Sequence, residues 1–488
     1  LFVIVLIFPI YIQFSMKRGI LQARITYPIY EQDLQERPML SSRKKEILTH
    51  PLVMGTAILT MTGFLSRFIG FFYRIFLSRV FSAEGMGIYQ LIAPVLALSF
   101  ALTVSGIQTA ISKYVAGEEL TGNYRASLLH LITGFLIAMV LSVLCTLFIY
   151  HYSEEIAVYF LKEERTAPLL RIISLSIPMA TVHSCINGYF YGIKKTSIPS
   201  ACQLMEQVIR VGSVYLIYAY FQKQGMQPTI SFAVIGLVIG EAASMTVSLI
   251  AVKLHFDKVL SIRMSSLPGL KGTRLLSSSK ELLSLAVPLS LNRVIINFLQ
   301  SIEAIFIPQQ LLKYGYTTSQ SLSVYGVLTG MALPLILFPG AITNSICVLL
   351  LPMVSEADAV GNRNKITKAA QSSIRYGFLL GICFTAFFFF SGRFLGNLLY
   401  QNELAGEFIL ILSFLCPLMY IASTLNSILN GLGKTLETFL YSMVSLLVRL
   451  GFVFFLIPVY GIYGYLWGLL VSQLVQTVLC MIGTRKFR

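Results

Sequence analysis

Runs of about 20 apolar residues recur along almost the whole chain, and each is long enough to cross the hydrocarbon core of a bilayer as a helix. Twelve such runs are predicted, over 54–79, 88–111, 127–150, 168–191, 197–220, 230–252, 282–308, 320–352, 372–391, 407–430, 435–458 and 461–483. Of the 488 residues, 56% are hydrophobic and only 12% charged. A soluble protein of this size needs about twice that share of charge to cover its surface, so a soluble enzyme is excluded. The predicted class is an all-α polytopic membrane protein. Span 8 is long and carries Pro334, Pro339 and Pro352, which predicts a kink or break there.

Basic residues give the expected orientation. Short segments that share one side when the N-terminus is cytoplasmic hold 25 Lys and Arg, the opposite segments hold six, and the remaining six of the 37 lie within spans. That asymmetry follows the positive-inside rule and predicts a multi-pass cell-membrane protein with both termini cytoplasmic. The net charge of +16 is therefore spread over loops and does not form the clustered face of a nucleic-acid binder. Seven cysteines (145, 185, 202, 347, 383, 416 and 480) all fall in apolar spans without a CxxC pair, which favours buried small side chains over disulfides or a metal centre.

An internal repeat organises the chain. An offset of 239 places Pro178 on Pro417, Ser184 on Ser423, Asn187 on Asn426, Gly192 on Gly431, Lys195-Thr196 on Lys434-Thr435, and Arg210 on Arg449. Offsets of 226 and 228 place Arg67 on Arg293, and Gly236 and Gly240 on Gly464 and Gly468. Two six-span lobes in the same orientation follow, related by an axis along the membrane normal. The expected division is an N-terminal extension (1–53) outside the transport core, an N-lobe (54–252), a basic cytoplasmic linker (253–281) and a C-lobe (282–488). The apolar stretch 1–14 is too short to cross and is interrupted by Pro9.

Charge inside the spans marks the functional candidates. Arg67, Arg210, Arg293 and Arg449 form two repeat-related pairs near mid-depth, and each costs roughly 2.5–3.5 kcal/mol at a helix centre. Together that is roughly 10–14 kcal/mol, comparable with the net stability of a whole domain. Helical spacing puts Arg67 and Arg74 on one face of span 1, Gln203, Glu206/Gln207 and Arg210 on one face of span 5, and Ser290, Arg293, Asn297 and Gln300 on one face of span 7. Thr438, Ser442, Ser445 and Arg449 share a face of span 11. These stripes predict a hydrated, positively charged central cavity that receives an anion, and the guanidinium fork suits phosphate oxygens.

A structural role competes with this reading, since Glu206 and Arg210 at i and i+4 can pair. Only Glu206, Glu241 and Glu303 supply carboxylates within the spans, fewer than the arginines. Glu303 stands as the candidate for a coupling ion, H⁺ or Na⁺, against a role as partner of Arg293 or as a residue near the outer surface. Glu241 and His183 are expected to be structural. Gly433-Lys434-Thr435 resembles the end of a phosphate-binding loop but lacks the required glycine, because position 428 is Ile. No nucleotide site, cofactor, metal motif or enzymatic centre is read, so transport would be driven by an ion gradient, the membrane potential or the substrate gradient.

Residues from Gly63 to Ala116 carry a family likeness. Ser66-Arg67-Phe68-Ile69-Gly70, Arg74, Arg79-Val80, Glu84 to Tyr89 and Ala110-Ile111-Ser112-Lys113 resemble the polysaccharide-transporter branch of the multidrug/oligosaccharidyl-lipid/polysaccharide (MATE-like) exporter superfamily, and its sporulation group in particular. Tyr325, Leu328 to Ala332, Pro334-Leu335 and Ser355-Glu356-Ala357 extend the likeness into the second half. The resemblance implies a flippase that carries an undecaprenyl-diphosphate-linked sugar, such as lipid II, outward by alternating access, in the setting of spore cortex synthesis. It implies membrane lipids and the lipid-linked oligosaccharide as partners, with the diphosphate at Arg67, Arg74, Arg210, Arg293 and Arg449. Related peptidoglycan-precursor flippases carry Tyr-Ala-Asp-Arg where this chain has Tyr325-Gly326-Val327-Leu328, so that arginine's role does not transfer. A multidrug exporter of the same superfamily and a non-transporting scaffold for cell-wall synthesis are the alternatives.

Overall fold

The computed structural model describes the backbone of residues 51–263 and 272–485, and the side chains of 58–256 and 278–485. The expected extension 1–53 lies outside the described residues up to position 50, as does the middle of the expected linker.

Among the described residues twelve long helical elements follow one another: α1 (Pro51–Val80), α2 (Ala83–Leu120), α3 (Tyr124–His151), α4 (Glu164–Ser174 and Ser176–Gly192), α5 (Ser197–Lys223), α6 (Ser231–Arg263), α7 (Gly272–Tyr314), α8 (Thr318–Leu337 and Gly340–Ala359), α9 (Arg363–Tyr400), α10 (Glu403–Leu412 and Leu415–Gly431), α11 (Thr435–Phe455) and α12 (Ile462–Arg485). Among the described residues nine helices are long and apolar enough to cross a membrane, with the two halves of α8 counted separately, or eleven when the bent pairs of α4 and α10 each count as one span. α1 and α5 fall outside that set. They carry the arginine and glutamine stripes, and those side chains lower their hydropathy.

Boundaries differ from the sequence expectation in informative places. α6 continues to Arg263 and α7 starts at Gly272, so much of the basic stretch read as a linker is helical. α8 breaks between Leu337 and Gly340, at Phe338-Pro339, where proline removes a backbone donor. Both halves of α8 still make one crossing, because Leu322–Ile336 and Leu350–Ala357 belong to cores at opposite ends of the molecule. α2 contains a π-helical turn at Ala101–Ser105, which apolar patterning alone does not reveal.

The repeat is visible in the backbone at the offset of 239. Thr146 Oγ1 donates to the Ser174 carbonyl at 3.1 Å, and Thr385 Oγ1 donates to the Ser413 carbonyl at 2.9 Å. These bonds brace the bends of α4 (43°) and α10 (52°). Asn123 caps α3 and Asn362 caps α9 through their side-chain oxygens. Lys162 and Gln401 occupy the left-handed region at φ 58° and 52°.

Two further repeat-related residues meet each other. A Cβ on Gly87 would lie 2.1 Å from the Leu322 carbonyl oxygen, and one on Gly326 would lie 2.2 Å from that of Ala83. Only glycine lets α2 and α8 cross this closely. At the same end Arg165 pairs with Glu84 at 2.7 Å and with Glu163 at 2.6 Å, while Ser319 of α8 donates to Glu84 at 2.7 Å.

The described residues from Ile58 onward form one compact unit. One apolar core gathers the ends of helices from both halves, from Tyr73 and Leu161 to Tyr400 and Leu466, around that crossing. Toward the opposite end there are two separate cores. One joins α2, α3 and α4 with Leu282 and Ala286 of α7, and the other joins α8, α9 and α10 with Cys480. The bundle is thus sealed at one end and divided at the other.

Candidate anion-binding chamber

Two adjoining cavities, about 420 and 360 Å³, share Arg67, Gly70 and Arg74 of α1. The first is completed by α8 and α10 through Asn344, Thr343, Phe338 and Ser423. The second is completed by α2 and α5 through Tyr89, Gln90, Gln203, Gln207 and Arg210. α1 therefore presents its arginine face to a chamber bounded by helices from both halves. The combined space falls in the usual range for small-ligand sites.

The five arginines expected at the site divide into two electrostatic classes. Arg67 Nη1 and Nη2 lie against the side-chain amide of Asn344, whose oxygen, turned toward them, accepts at 2.8 and 2.5 Å. Arg293 Nη1 donates to Ser105 Oγ at 2.6 Å. These contacts are copies of one arrangement, because Arg67 and Arg293 correspond at offset 226 and Ser105 and Asn344 at offset 239. Both partners are neutral. Among the described residues no carboxylate lies within ion-pair distance of Arg67, Arg74 or Arg293.

Arg210 and Arg449 are compensated. Arg210 Nη2 donates to Glu206 and lies 3.5 Å from Glu241 Oε1. Arg449 Nη2 donates to Glu303 Oε2 at 2.6 Å, its Nε lies 2.5 Å from Oε1, and the Tyr465 hydroxyl donates to Oε1 at 2.5 Å.

The residues expected to line the cavity have the following partners. Ser445 is buried and donates to the Ser472 carbonyl of α12, so it ties two helices together and does not face the chamber. Ser442 donates to its own helix at Thr438 and accepts from Gln476. Asn297 donates to the Ala97 carbonyl of α2 at 3.0 Å, and Gln300 is exposed. Of the expected residues, Arg67, Arg74, Arg210 and Gln203 border the two cavities, whereas Arg293, Arg449, Asn297, Gln300, Ser442 and Ser445 do not. Glu303, expected as an ion site, a partner of Arg293 or a residue near the outer surface, is 5% exposed and is paired with Arg449 and hydrogen-bonded by Tyr465. Asn344 lies outside the residues expected from periodicity, and the 239 offset from Ser105 points to it.

The helical bundle with a divided, polar interior has the fold of MATE transporters. Solved structures share it: an inward-facing multidrug resistance MATE transporter matches with a TM-score of 0.63 at 14% identity, covering 86% of this chain and 95% of that one. An outward-facing one matches with a TM-score of 0.63 at 13% identity, covering 90% and 97%. The family model described as "Polysaccharide biosynthesis protein" matches residues 52–358, and a MatE model matches 288–455. The chain belongs to this polysaccharide-biosynthesis family, in the polysaccharide-transporter branch of the MATE-like superfamily, and is a multi-pass membrane protein. Stage V sporulation protein B of Bacillus subtilis (strain 168) is 28% identical over 87% of this chain and 82% of its own length. The lipid II flippase MurJ of the same organism is 21% identical over 83% and 77%.

Proposed function

We propose that the protein is a flippase for a polyprenyl-diphosphate-linked sugar, lipid II or a related cell-wall precursor, and that it works by alternating access. The observation that carries this reading is the uncompensated guanidinium pair, Arg67 and Arg74, on the chamber wall formed by α1. A diphosphate supplies the missing negative charge. Arg67 forks onto its oxygens in place of, or together with, Asn344. Gln203, Gln207 and Ser423 offer hydrogen bonds to the sugar, and the isoprenoid tail stays among the lipids.

The basic loops support a cytoplasmic position for the divided end, with the conformation described read as inward-facing and the α2–α8 crossing as the closed outer gate. Substrate enters from the cytoplasmic leaflet, neutralises the arginines and allows the chamber to close behind it. The relatives named for lipid II translocation and for sporulation support a role in spore cortex peptidoglycan synthesis.

Charge separates this from multidrug export. A cationic drug about 6 Å from one guanidinium is repelled by about 3 kcal/mol at an effective dielectric of 20, and two such groups face it here. Proteoliposomes containing the purified protein are expected to translocate a fluorescent polyprenyl-diphosphate saccharide and to leave cationic dye flux at the background rate. Dye efflux without lipid translocation would favour the exporter. Neither activity, in a protein that still restores cell-wall synthesis to a deletion strain, would favour the scaffold.

A further inference from the structure

The two halves of the repeat differ where α7 lies against the first of them. The 239 offset holds in this region: a Cβ on Gly192 would lie 2.9 Å from the Ser112 carbonyl oxygen, and one on Gly431 would lie 2.8 Å from that of Leu351. In the N-terminal half the leading part of α7 runs along α2 and α3. Tyr114 of α2 donates to the Glu281 carbonyl at 2.9 Å, His130 of α3 lies 2.9 Å from Ser278 Oγ, and Leu282 and Ala286 are buried with Ile107 and Ile111. Tyr114, His130, Ile107 and Ile111 correspond to Met353, Ala369, Ile346 and Leu350. All four counterparts line one groove of about 680 Å³ between α8 and α9. Among the described residues no helix covers it, and Ile342, Ile346 and Leu379 on its walls are 44, 40 and 51% exposed.

We propose that this groove binds an acidic phospholipid, with one acyl chain between α8 and α9 and the phosphate at Lys365 and Lys368. Apart from these two lysines, which stand near the start of α9, the lining carries no charge. Their counterparts in α3 are Ala126 and Leu129, so charge at these positions belongs only to the half whose groove is open. Both lysines are exposed, and among the described residues neither is in an ion pair. Glu356 and Asp358, at the end of α8, lie beyond ion-pair distance of them.

The dimensions fit one leaflet. On α8 the lining runs from Ile342 to Met353, about 16 Å at 1.5 Å per residue, which is half of the ~30 Å hydrocarbon core. Lysine stems lie along apolar surface while their ammonium groups stay at headgroup level. A covering helix like α7 would strip water from two unpaired ammonium groups, a cost that a phosphate avoids by supplying the opposite charge. A polyprenyl diphosphate seated at Arg67 and Arg74 would leave these lysines without an anion. Thr343 borders both the groove and the chamber, and its neighbour Asn344 holds Arg67. The phospholipid therefore braces the segment of α8 that carries the chamber's amide. The site itself does not rest on the flippase reading.

Native mass spectrometry of the full chain in detergent, titrated with dioleoyl phosphatidylglycerol or dioleoyl phosphatidylcholine, tests the site. Phosphatidylglycerol is expected to bind at least about tenfold more tightly than phosphatidylcholine, and Lys365→Gln/Lys368→Gln is expected to erase that preference. Ile346→Trp fills the groove from an exposed wall position and keeps both lysines, and it is expected to weaken phosphatidylglycerol binding to a similar extent. Equal affinity for the two lipids, or phosphatidylglycerol binding unchanged in the lysine variant, overturns the proposal. So does a loss in the lysine variant with Ile346→Trp unaffected, which would mean surface attraction without a groove. Undecaprenyl diphosphate that displaces phosphatidylglycerol from Arg67→Ala/Arg74→Ala as readily as from the unmodified protein would give the groove to that lipid and overturn the proposal too. Should either variant fail to fold, the comparison of the two phospholipids on the unmodified protein still decides.

Discussion

Replacing Arg67 and Arg74 together with alanine is expected to weaken binding of a polyprenyl diphosphate at least about 100-fold while leaving the folded protein at its normal level in the membrane. Each charged hydrogen bond contributes roughly 1.5–3 kcal/mol, so two of them account for roughly two to four orders of magnitude in affinity. The fold is expected to tolerate the change because neither arginine balances a carboxylate. Removing them takes away an electrostatic cost and leaves no orphaned anion. Arg210→Ala is the informative contrast. It strands Glu206 and Glu241, so its expected first effect is loss of stable protein. Quantitative membrane immunoblotting beside equilibrium binding of the lipid separates the two outcomes. Equal loss of protein in both variants would place Arg67 and Arg74 among the structural arginines.

Glu303→Ala is expected to give the largest loss of stability from a single side chain, about 3–5 kcal/mol, because it leaves the Arg449 guanidinium buried without its counter-ion. The Tyr465 hydroxyl loses its acceptor at the same time. Adding Arg449→Ala to Glu303→Ala is expected to recover part of the loss, since the pair is then removed as a unit. Thermal unfolding of the four proteins of this cycle in detergent measures the coupling. Additive losses would mean that the two groups stabilise the fold independently, and Glu303 would again be open to a role in ion binding.

The pair that carries the chamber was readable from the chain because Arg67 and Arg74 sit seven residues apart on one helix, where periodicity alone fixes a shared face. Arg210 with Glu206 was readable for the same reason. The partners that neutralise the other polar groups were not. Glu303 meets Arg449 across 146 positions, and Glu241 reaches Arg210 from a different helix, so only the packing of α7 on α11 and of α5 on α6 reveals them.

Serine was the weakest guide. Ser445 lies on the same stripe as Arg449, yet a hydroxyl is satisfied by any carbonyl in reach, and the carbonyl of Ser472 supplies it. The architecture fared better because apolar runs, prolines and a duplicated pattern are properties of the chain itself. The repeat even extends to details that the sequence hides, such as the matched contacts of Arg67 with Asn344 and Arg293 with Ser105.

Mass spectrometry of the lipids that copurify with the protein tests the central claim most directly. A polyprenyl-diphosphate-linked saccharide is expected, enriched over bulk phospholipid in the unmodified protein and lost in the Arg67→Ala/Arg74→Ala variant. Phospholipid alone, or a diphosphate lipid retained equally by both proteins, would contradict it.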